Sequence, residues 1–310
     1  MGVILGIDTS NYTTSMALCD KSGVIGNEKI LLDVKDGERG LRQSDAVFAH
    51  IGNLPMIASR IGSNDIIAIG VSSRPRDVEG SYMPCFRAGE SFALSLGSLL
   101  GVPVYRFAHQ TGHVVAAAYS AGRLDLLKER FCAFHVSGGT TELLLCDGRD
   151  GRLRIEKIGG TLDLNAGQAI DRAGVMLGMK FPCGPALEAL SGDGVLPEAP
   201  KVCVRGLECN LSGAENKVAS LLKKGVSKND IALYVLAFVE RTLTKLTENL
   251  RQEYDLPIIY AGGVMSNSMI KSALSRFDNT FFADRAFSAD NAAGIALLAR
   301  DVHFEANGIT

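Results

Sequence analysis

The sequence predicts an α/β chain built from two similar halves, each opening with an antiparallel meander and continuing with strands that alternate with helices. Three observations predict it. An internal repeat is visible, apolar strand-like runs alternate with helical stretches, and turns rich in small and hydroxyl residues stand at equivalent places in the two copies.

The repeat comes first. Residues 4–30 read ILGIDTSNYTTSMALCDKSGVIGNEKI and residues 132–158 read CAFHVSGGTTELLLCDGRDGRLRIEKI. Thr13-Thr14 and Leu18-Cys19-Asp20 recur in the second copy as Thr140-Thr141 and Leu145-Cys146-Asp147. Glu28-Lys29-Ile30 recurs as Glu156-Lys157-Ile158 after a one-residue insertion. Each copy reads as strand, small polar turn, strand, Gly/Asp turn, strand. Two unrelated meanders could share such a pattern by chance, but matched spacing along the whole segment favours duplication.

Helices and strands then alternate. In the first half a helix is expected over 44–61, a strand over 66–72, a helix over 86–100 and a strand over 102–108. In the second half helices are expected over 164–178, 213–224 and 228–252. A strand over 256–261 follows, then a helix over 266–276, a strand over 279–283 and a final helix over 289–306. The expected division is a first lobe over 1–108, to which 289–310 returns, and a second lobe over 109–288.

Composition narrows the function classes. With 32 Lys and Arg against 34 Asp and Glu, the net charge is −2 and no global basic field exists to hold nucleic acid. An RNA substrate must therefore meet a local patch or a partner protein. Seven cysteines without a C-x-x-C pair, and no signal-like start, predict reduced thiols in a cytoplasmic protein. No apolar run is long enough to span a bilayer.

Several residues could carry chemistry. Asp8 ends a buried strand, where a carboxylate is costly unless paired or solvated. It serves either a cleft near phosphates or metal, or an Asx turn, and with Ser10 and Thr140 it is a candidate catalytic residue. Ser137-Gly138-Gly139-Thr140 forms the equivalent turn of the second copy, whose glycines permit close backbone approach to a ligand or simply a tight turn. His109 and His113 are spaced i, i+4 and share one helix face. They suit one divalent metal, or else a polar helix end. Asp290 is the candidate third ligand, or the cap of the last helix. Gly262 and Gly263 follow an apolar strand and permit flat approach of a base or ribose. Asp171 could bind ribose hydroxyls or face solvent. Basic residues at 217, 223, 224 and 228 form either a solvated face or an RNA contact.

Taken in order, these motifs resemble the TsaD (Gcp, glycoprotease-like) family along almost the whole chain. GIDTS (6–10) looks like its G-I-E-T-S, HQTGH (109–113) its H-x-E-G-H, and VSGGTT (136–141) its V-S-G-G-H-T. NAGQAIDRAGVMLGMKFPCGPAL (165–187) resembles the segment that ends in Y-P-G-G-P. NLSGAENKV (210–218) resembles F-S-F-S-G-L-K-T, AGGVMSN (261–267) matches A-G-G-V-x-x-N, and ADNAAGIA (289–296) resembles T-D-N-G-A-M-I-A. The resemblance implies the duplicated, two-lobed actin-like ATPase fold of actin, sugar kinases and Hsp70, with mixed sheets. It implies transfer of threonylcarbamoyl from its AMP adduct to N6 of adenosine 37 in tRNA. His109, His113 and Asp290 would hold one divalent ion, iron or zinc. Ser137, Gly138, Gly139, Asp171, Gly184 and Asn267 would bind the adenine nucleotide (ATP or the AMP adduct), Mg being a further candidate ion. TsaB-like, TsaE-like and TsaC-like proteins and tRNA are the implied partners, in a heterodimer or homodimer, with no membrane. Two other readings stand beside it: a carbamoyl-adenylate-dependent carbamoyltransferase with another acceptor, and a non-catalytic TsaB-like nucleotide-binding subunit. The chain departs from the family at Thr140 (histidine), Gln168 (glutamate), Thr111 (often glutamate) and Ser72-Ser73-Arg74-Pro75-Arg76 (A-G-P-G), which marks a divergent paralogue.

Overall fold

A computed structural model describes residues 2–10, 12–33, 41–62, 65–288 and 292–308. The chain divides into two compact units, Met1–Leu124 with Asp290–Thr310, and Asp125–Ala289.

The first unit opens with strands β1 (Val3–Asp8), β2 (Thr13–Asp20) and β3 (Gly23–Leu31). Helix α1 (Gln43–Ile61), strand β4 (Ile66–Arg74), helix α2 (Phe86–Leu100), strand β5 (Val104–Ala108) and helix α3 (His109–Ser120) follow. The second unit repeats the opening with β6 (Arg130–Val136), β7 (Thr141–Asp147) and β8 (Arg154–Thr161). It continues through α4 (Ala166–Met176), α5 (Gly184–Ser191), β9 (Cys203–Arg205), β10 (Glu208–Asn210), α6 (Gly213–Lys223) and α7 (Lys228–Glu253). Strand β11 (Ile258–Ala261), α8 (Ser268–Leu274), β12 (Thr280–Phe282) and the short α9 (Arg285–Ser288) complete it. Helix α10 (Ala293–Ala306) belongs to the first unit, where it packs on β1, β4 and α3.

Sheet order makes the duplication physical. The first sheet runs β3-β2-β1-β4-β5, and the second runs β12-β11-β6-β7-β8-β10-β9. In each, a central strand pairs antiparallel with the next strand of its meander and parallel with a strand that arrives after a helix. The second sheet adds the β9–β10 hairpin beyond β8.

Burial explains the strand sequences. All six residues of β1 are buried. Val3, Leu5 and Ile7 pack with Leu54 and Ile57 of α1 and Ala88 and Ala93 of α2. The opposite face of β1 meets α10. A parallel strand covered on both faces reads as an unbroken apolar run, as here. In the second unit α7 supplies a long buried stripe that includes Val235, Val239, Leu243 and Leu246. It packs on a core shared with Phe134 and Tyr260, whose rings stack at 4.9 Å.

Three differences from the expected elements have local causes. Helix α3 stays with the first unit, whereas the expected division fell before it. The reason is its close packing on α10, where a Cβ on Gly294 would stand 1.9 Å from the Gly112 carbonyl oxygen. Helix α5 and the β9–β10 hairpin are too short to show a period and were not expected. The expected 266–276 helix contracts to α8, preceded by a 3₁₀ turn over Gly263–Ser266.

Candidate functional site

In the first unit, the carboxyl ends of the parallel strands β1, β4 and β5 supply Asp8, the Ser72–Arg74 stretch and Ala108, directly before His109. Such strand ends are the usual ligand region of α/β sheets. Asp8 is fully buried. Its carboxylate accepts hydrogen bonds from Ser10 Oγ (2.7 Å) and Ser72 Oγ, and its Oδ2 stands 3.2 Å from His109 Nδ1. Burial alone would raise the Asp8 pKa. The His109 charge and the hydrogen bonds from His109, Ser72 and Ser10 outweigh it, so the carboxyl is held below its ordinary value.

This pairing sets the histidine chemistry. When the ring is neutral, a carboxylate at Nδ1 keeps the remaining proton there and leaves the Nε2 lone pair towards His113. His109 Nε2 then lies 2.8 Å from His113 Nε2, the rings meeting nearly edge to face at 77°. Two lone pairs at that separation need a proton or a cation between them. Nitrogens sharing one ion at about 2.0–2.1 Å stand roughly 2.9–3.4 Å apart, so a small opening of the pair admits a metal. The donor set therefore fits a divalent ion. Among the described residues no group of three His, Cys, Asp or Glu side chains forms a metal cluster. Asp290, the expected third ligand, lies outside the described residues, as does Asn11 of the first turn.

Asp8 and Ser10, expected as catalytic groups, are both buried, with Ser10 bonded to Asp8 and Asp8 in turn contacting His109. Ser72 completes the carboxylate shell, and Phe86 stands with its ring centroid 5.9 Å from that of His109. Neither was expected there, because nothing local in the sequence links positions 8, 72, 86 and 109. The neighbouring Thr9 is consumed by the fold: its Oγ1 donates to the Cys85 carbonyl and accepts from the Gly89 N–H, both at 3.0 Å.

The second unit gathers the other candidates at the ends of β6 and β11, which run parallel. In the β6–β7 turn Ser137 Oγ accepts from the N–H groups of Gly139 (3.3 Å) and Thr140 (3.1 Å), while Gly138 and Gly139 are exposed. The first turn of α4 rests on this loop through the Gly167 N–H, which donates to the Ser137 carbonyl at 3.1 Å. Gln168 has a local task there, since its Oε1 accepts from the Asn165 N–H (3.2 Å) as half of a capping box. Asp171, on α4, accepts from the Cys183 N–H at 2.7 Å and so pins the loop before Gly184. Burial raises its pKa, and that hydrogen bond opposes the rise. Gly262 has φ 105°, and a Cβ there would lie 2.2 Å from the Val136 carbonyl, so only glycine lets β11 leave past β6. Gly263 and Gly184 face open space. Asn267 is buried and caps α8, accepting from the Ile270 N–H at 3.1 Å. The candidates thus fall into two groups: Asp8, Ser10, His109 and His113 in one unit, and Ser137, Gly138, Gly139, Thr140, Asp171, Gly184, Gly262, Gly263 and Asn267 in the other.

Two units that repeat one mixed-sheet topology, each with ligand-type turns at its strand ends, define an actin-like ATPase fold. Solved structures agree. The chain is similar to the activator of the 2-hydroxyisocaproyl-CoA dehydratase from Clostridium difficile with bound ADPNP (TM-score 0.54, 15% identity, 99% of this chain and 98% of that one). It is also similar to a ROK family glucokinase from Streptomyces griseus in complex with glucose and AMPPNP (TM-score 0.52, 16% identity, 97% of this chain and 100% of that one). At the sequence level, the family model described as "TsaD: tRNA N6-adenosine threonylcarbamoyltransferase" matches residues 54–297. The chain belongs to this family of transferases, and so to tRNA threonylcarbamoyladenosine biosynthesis. A tRNA N6-adenosine threonylcarbamoyltransferase of Thermosipho africanus is 29% identical, with 95% of this chain and 92% of the relative covered. One of Archaeoglobus fulgidus is 27% identical, with 95% and 89% covered.

Proposed function

We propose that this chain transfers the threonylcarbamoyl group of threonylcarbamoyl-AMP to N6 of adenosine 37 in tRNA. Family membership supports the reaction class. The single observation that carries the rest is the buried Asp8 carboxylate aligned on His109, whose Nε2 meets that of His113.

In the reaction the exocyclic amine of the adenosine attacks the carbamoyl carbon. The bond from that carbon to the phosphate oxygen breaks, AMP leaves, and the amine loses one proton, so no covalent enzyme intermediate is needed. His109 and His113, with Asp290 as third ligand, would hold an iron or zinc ion, which when bound polarises a carbonyl and orients the adduct. Asp8, Ser10 and Ser72 are positioning residues that fix the His109 ring and tautomer. The Ser137–Thr140 turn, Asp171, Gly184, Gly262, Gly263 and Asn267 would hold the adenylate. The exposed backbone at Gly138 suits phosphate, and the Asp171 carboxylate suits ribose hydroxyls. TsaC-like, TsaB-like and TsaE-like proteins would make the adduct and assemble with the chain in the cytoplasm. Among the described residues no helix is long and apolar enough to cross a membrane.

The test is complementation of a cell depleted of its own enzyme, with threonylcarbamoyl-adenosine quantified in digested tRNA by mass spectrometry. Wild type should restore the nucleoside, and His109→Ala or His113→Ala should not. A folded wild type that restores none, with all partners supplied, refutes the proposal.

A further inference from the structure

Strand β9 ends the second sheet. It pairs with β10 on one side and, among the described residues, with no strand on the other. The two-residue turn Gly206-Leu207 makes Arg205 and Glu208 the hydrogen-bonded pair that closes the hairpin. The next pair, Val204 and Cys209, is then of the wide type, and Val204 turns its N–H and C=O to the free edge. The Cys209 carbonyl points away from β9 accordingly, accepting from the Leu162 N–H at 2.9 Å. Side chains alternate along this edge. Val202 and Val204 are half-buried on the core, while Lys201, Cys203 and Arg205 are exposed. Val202 and Val204 line a cleft of about 600 Å³ together with Arg241 of α7 and Arg276. Lys201 and Cys203 line a second cleft, of about 400 Å³, with Tyr234 of α7. Tyr234 is 3% exposed, and among the described residues its hydroxyl has no hydrogen-bond partner. The carboxylates of both clefts are committed. Glu240 accepts from Thr244 Oγ1 at 2.8 Å, Glu248 pairs with Lys245 at 3.2 Å, and Glu198 pairs with Lys217. Lys201, Arg205, Arg241 and Arg276 are exposed and form no ion pair among the described residues.

We propose that the β9 edge docks an extended, acidic segment of a partner protein, which adds to the sheet as a further strand. Main-chain hydrogen bonds to the outward Val204 groups would supply affinity, and alternate side chains entering the two clefts would supply selectivity. The uncommitted cations select carboxylates, and the Tyr234 hydroxyl offers a buried hydrogen bond to a group entering the second cleft. Glu198, Glu240 and Glu248 disfavour a polyanion such as an RNA backbone in the same clefts. Charged residues on a short edge strand are also a common guard against self-pairing. Lys201 and Arg205 thus repel a second copy of this edge while admitting an acidic one.

Fluorescence anisotropy of the full chain with a fluorescein-labelled octapeptide of alternating Glu and Val tests the site. Wild type should bind this peptide, and an octapeptide of alternating Lys and Val should bind about tenfold more weakly. An octapeptide of alternating Glu and Pro has the same charge but cannot donate to a sheet edge, and it too should bind about tenfold more weakly. The Arg241→Glu/Arg276→Glu double variant should weaken the Glu-Val peptide about tenfold, with thermal melting measured alongside. The two control peptides use the wild-type chain, so they decide the matter even where the variant melts early. Four results overturn the proposal: no binding of the Glu-Val peptide by wild type, equal binding of the Glu-Pro peptide, a loss below threefold in a folded double variant, or tighter binding of a short oligouridylate of matched charge. The last would make the surface an RNA contact instead.

Discussion

Asp8→Ala probes the site where its geometry is most specific. The carboxylate is fully buried and receives Ser10 Oγ at 2.7 Å, Ser72 Oγ, and His109 Nδ1 at 3.2 Å. Hydrogen bonds to a charged group contribute about 1.5–3 kcal/mol each, and the desolvation cost of burying the carboxylate offsets much of their sum. A net loss of about 2–4 kcal/mol in unfolding free energy is expected. Removing the partner of a metal-binding imidazole costs about 10–100-fold in metal affinity, read by competition with a chromogenic chelator. Asp8→Asn, which keeps the shape and removes the charge, should lie between. The pH dependence has a definite sign. The folded-state pKa of Asp8 lies below its ordinary value of 3.8, so its stabilisation is present above that value and is lost as pH falls through the folded pKa. Wild-type stability should therefore fall more steeply in acid than that of Asp8→Asn. Metal affinity within threefold of wild type, together with an unchanged urea midpoint for Asp8→Ala, would refute the positioning role.

Four further outcomes follow from packing and protonation. Gly294→Ala places a Cβ against the Gly112 carbonyl and should cost about 1–3 kcal/mol in thermal unfolding, with metal retention falling alongside, because it prises α10 from the helix that bears the imidazoles. In the native chain a thiol reagent should label Cys203 rapidly and the six buried cysteines only on unfolding, since burial pushes Cys19 and Cys209 up to about 12 and Cys132 to about 11. Mass mapping of the labelled peptides checks this. Ser137→Ala should weaken binding of a fluorescent adenine nucleotide several-fold with little change in melting temperature, because its hydroxyl orders the exposed glycine turn. Asp163 has its carboxyl lowered despite partial burial by Ser212 Oγ and the N–H groups of Leu211 and Leu164. Asp163→Asn should accordingly lose the wild type's stability advantage near neutral pH and show a shallower acid transition, followed by circular dichroism.

Much of the fold was legible because its cues are local and periodic. The repeated Thr-Thr and Leu-Cys-Asp steps announced two meanders, and the apolar run before Ser72 announced a buried parallel strand. The His109–His113 face was legible for the same reason, since i, i+4 spacing on a helix requires no tertiary knowledge. The partners that give this face its chemistry were not. Ser72 reaches Asp8 only because β1 and β4 are neighbours in the sheet, and Phe86 reaches His109 because α2 begins beside α3. These contacts join positions far apart in sequence, and no periodicity encodes them. Asn267 and Gln168 illustrate a different limit. Both stood in ligand-like motifs, and both have helix-capping tasks that the motifs did not reveal.

The duplication also explains why similar turns have dissimilar uses. Equivalent topology puts a small-residue turn between β1 and β2 and another between β6 and β7. In the first, α2 lies on the turn, and Thr9 and Ser10 spend their hydroxyls on Cys85, Gly89 and Asp8 within the protein. In the second, Gly138 and Gly139 are exposed, and the Ser137 hydroxyl accepts from the Gly139 and Thr140 N–H groups of its own turn. Backbone groups left accessible can receive an oxyanion, whereas hydroxyls already bonded in a buried shell cannot without breaking that shell. Thr9 and Ser10, buried, are thereby suited to supporting a carboxylate beside an imidazole, and the exposed Gly138 and Gly139 to meeting a ligand. The two copies differ in what packs on each turn, and a substitution that uncovered Thr9 would not by itself free the first turn for a ligand, because Asp8 would still claim Ser10.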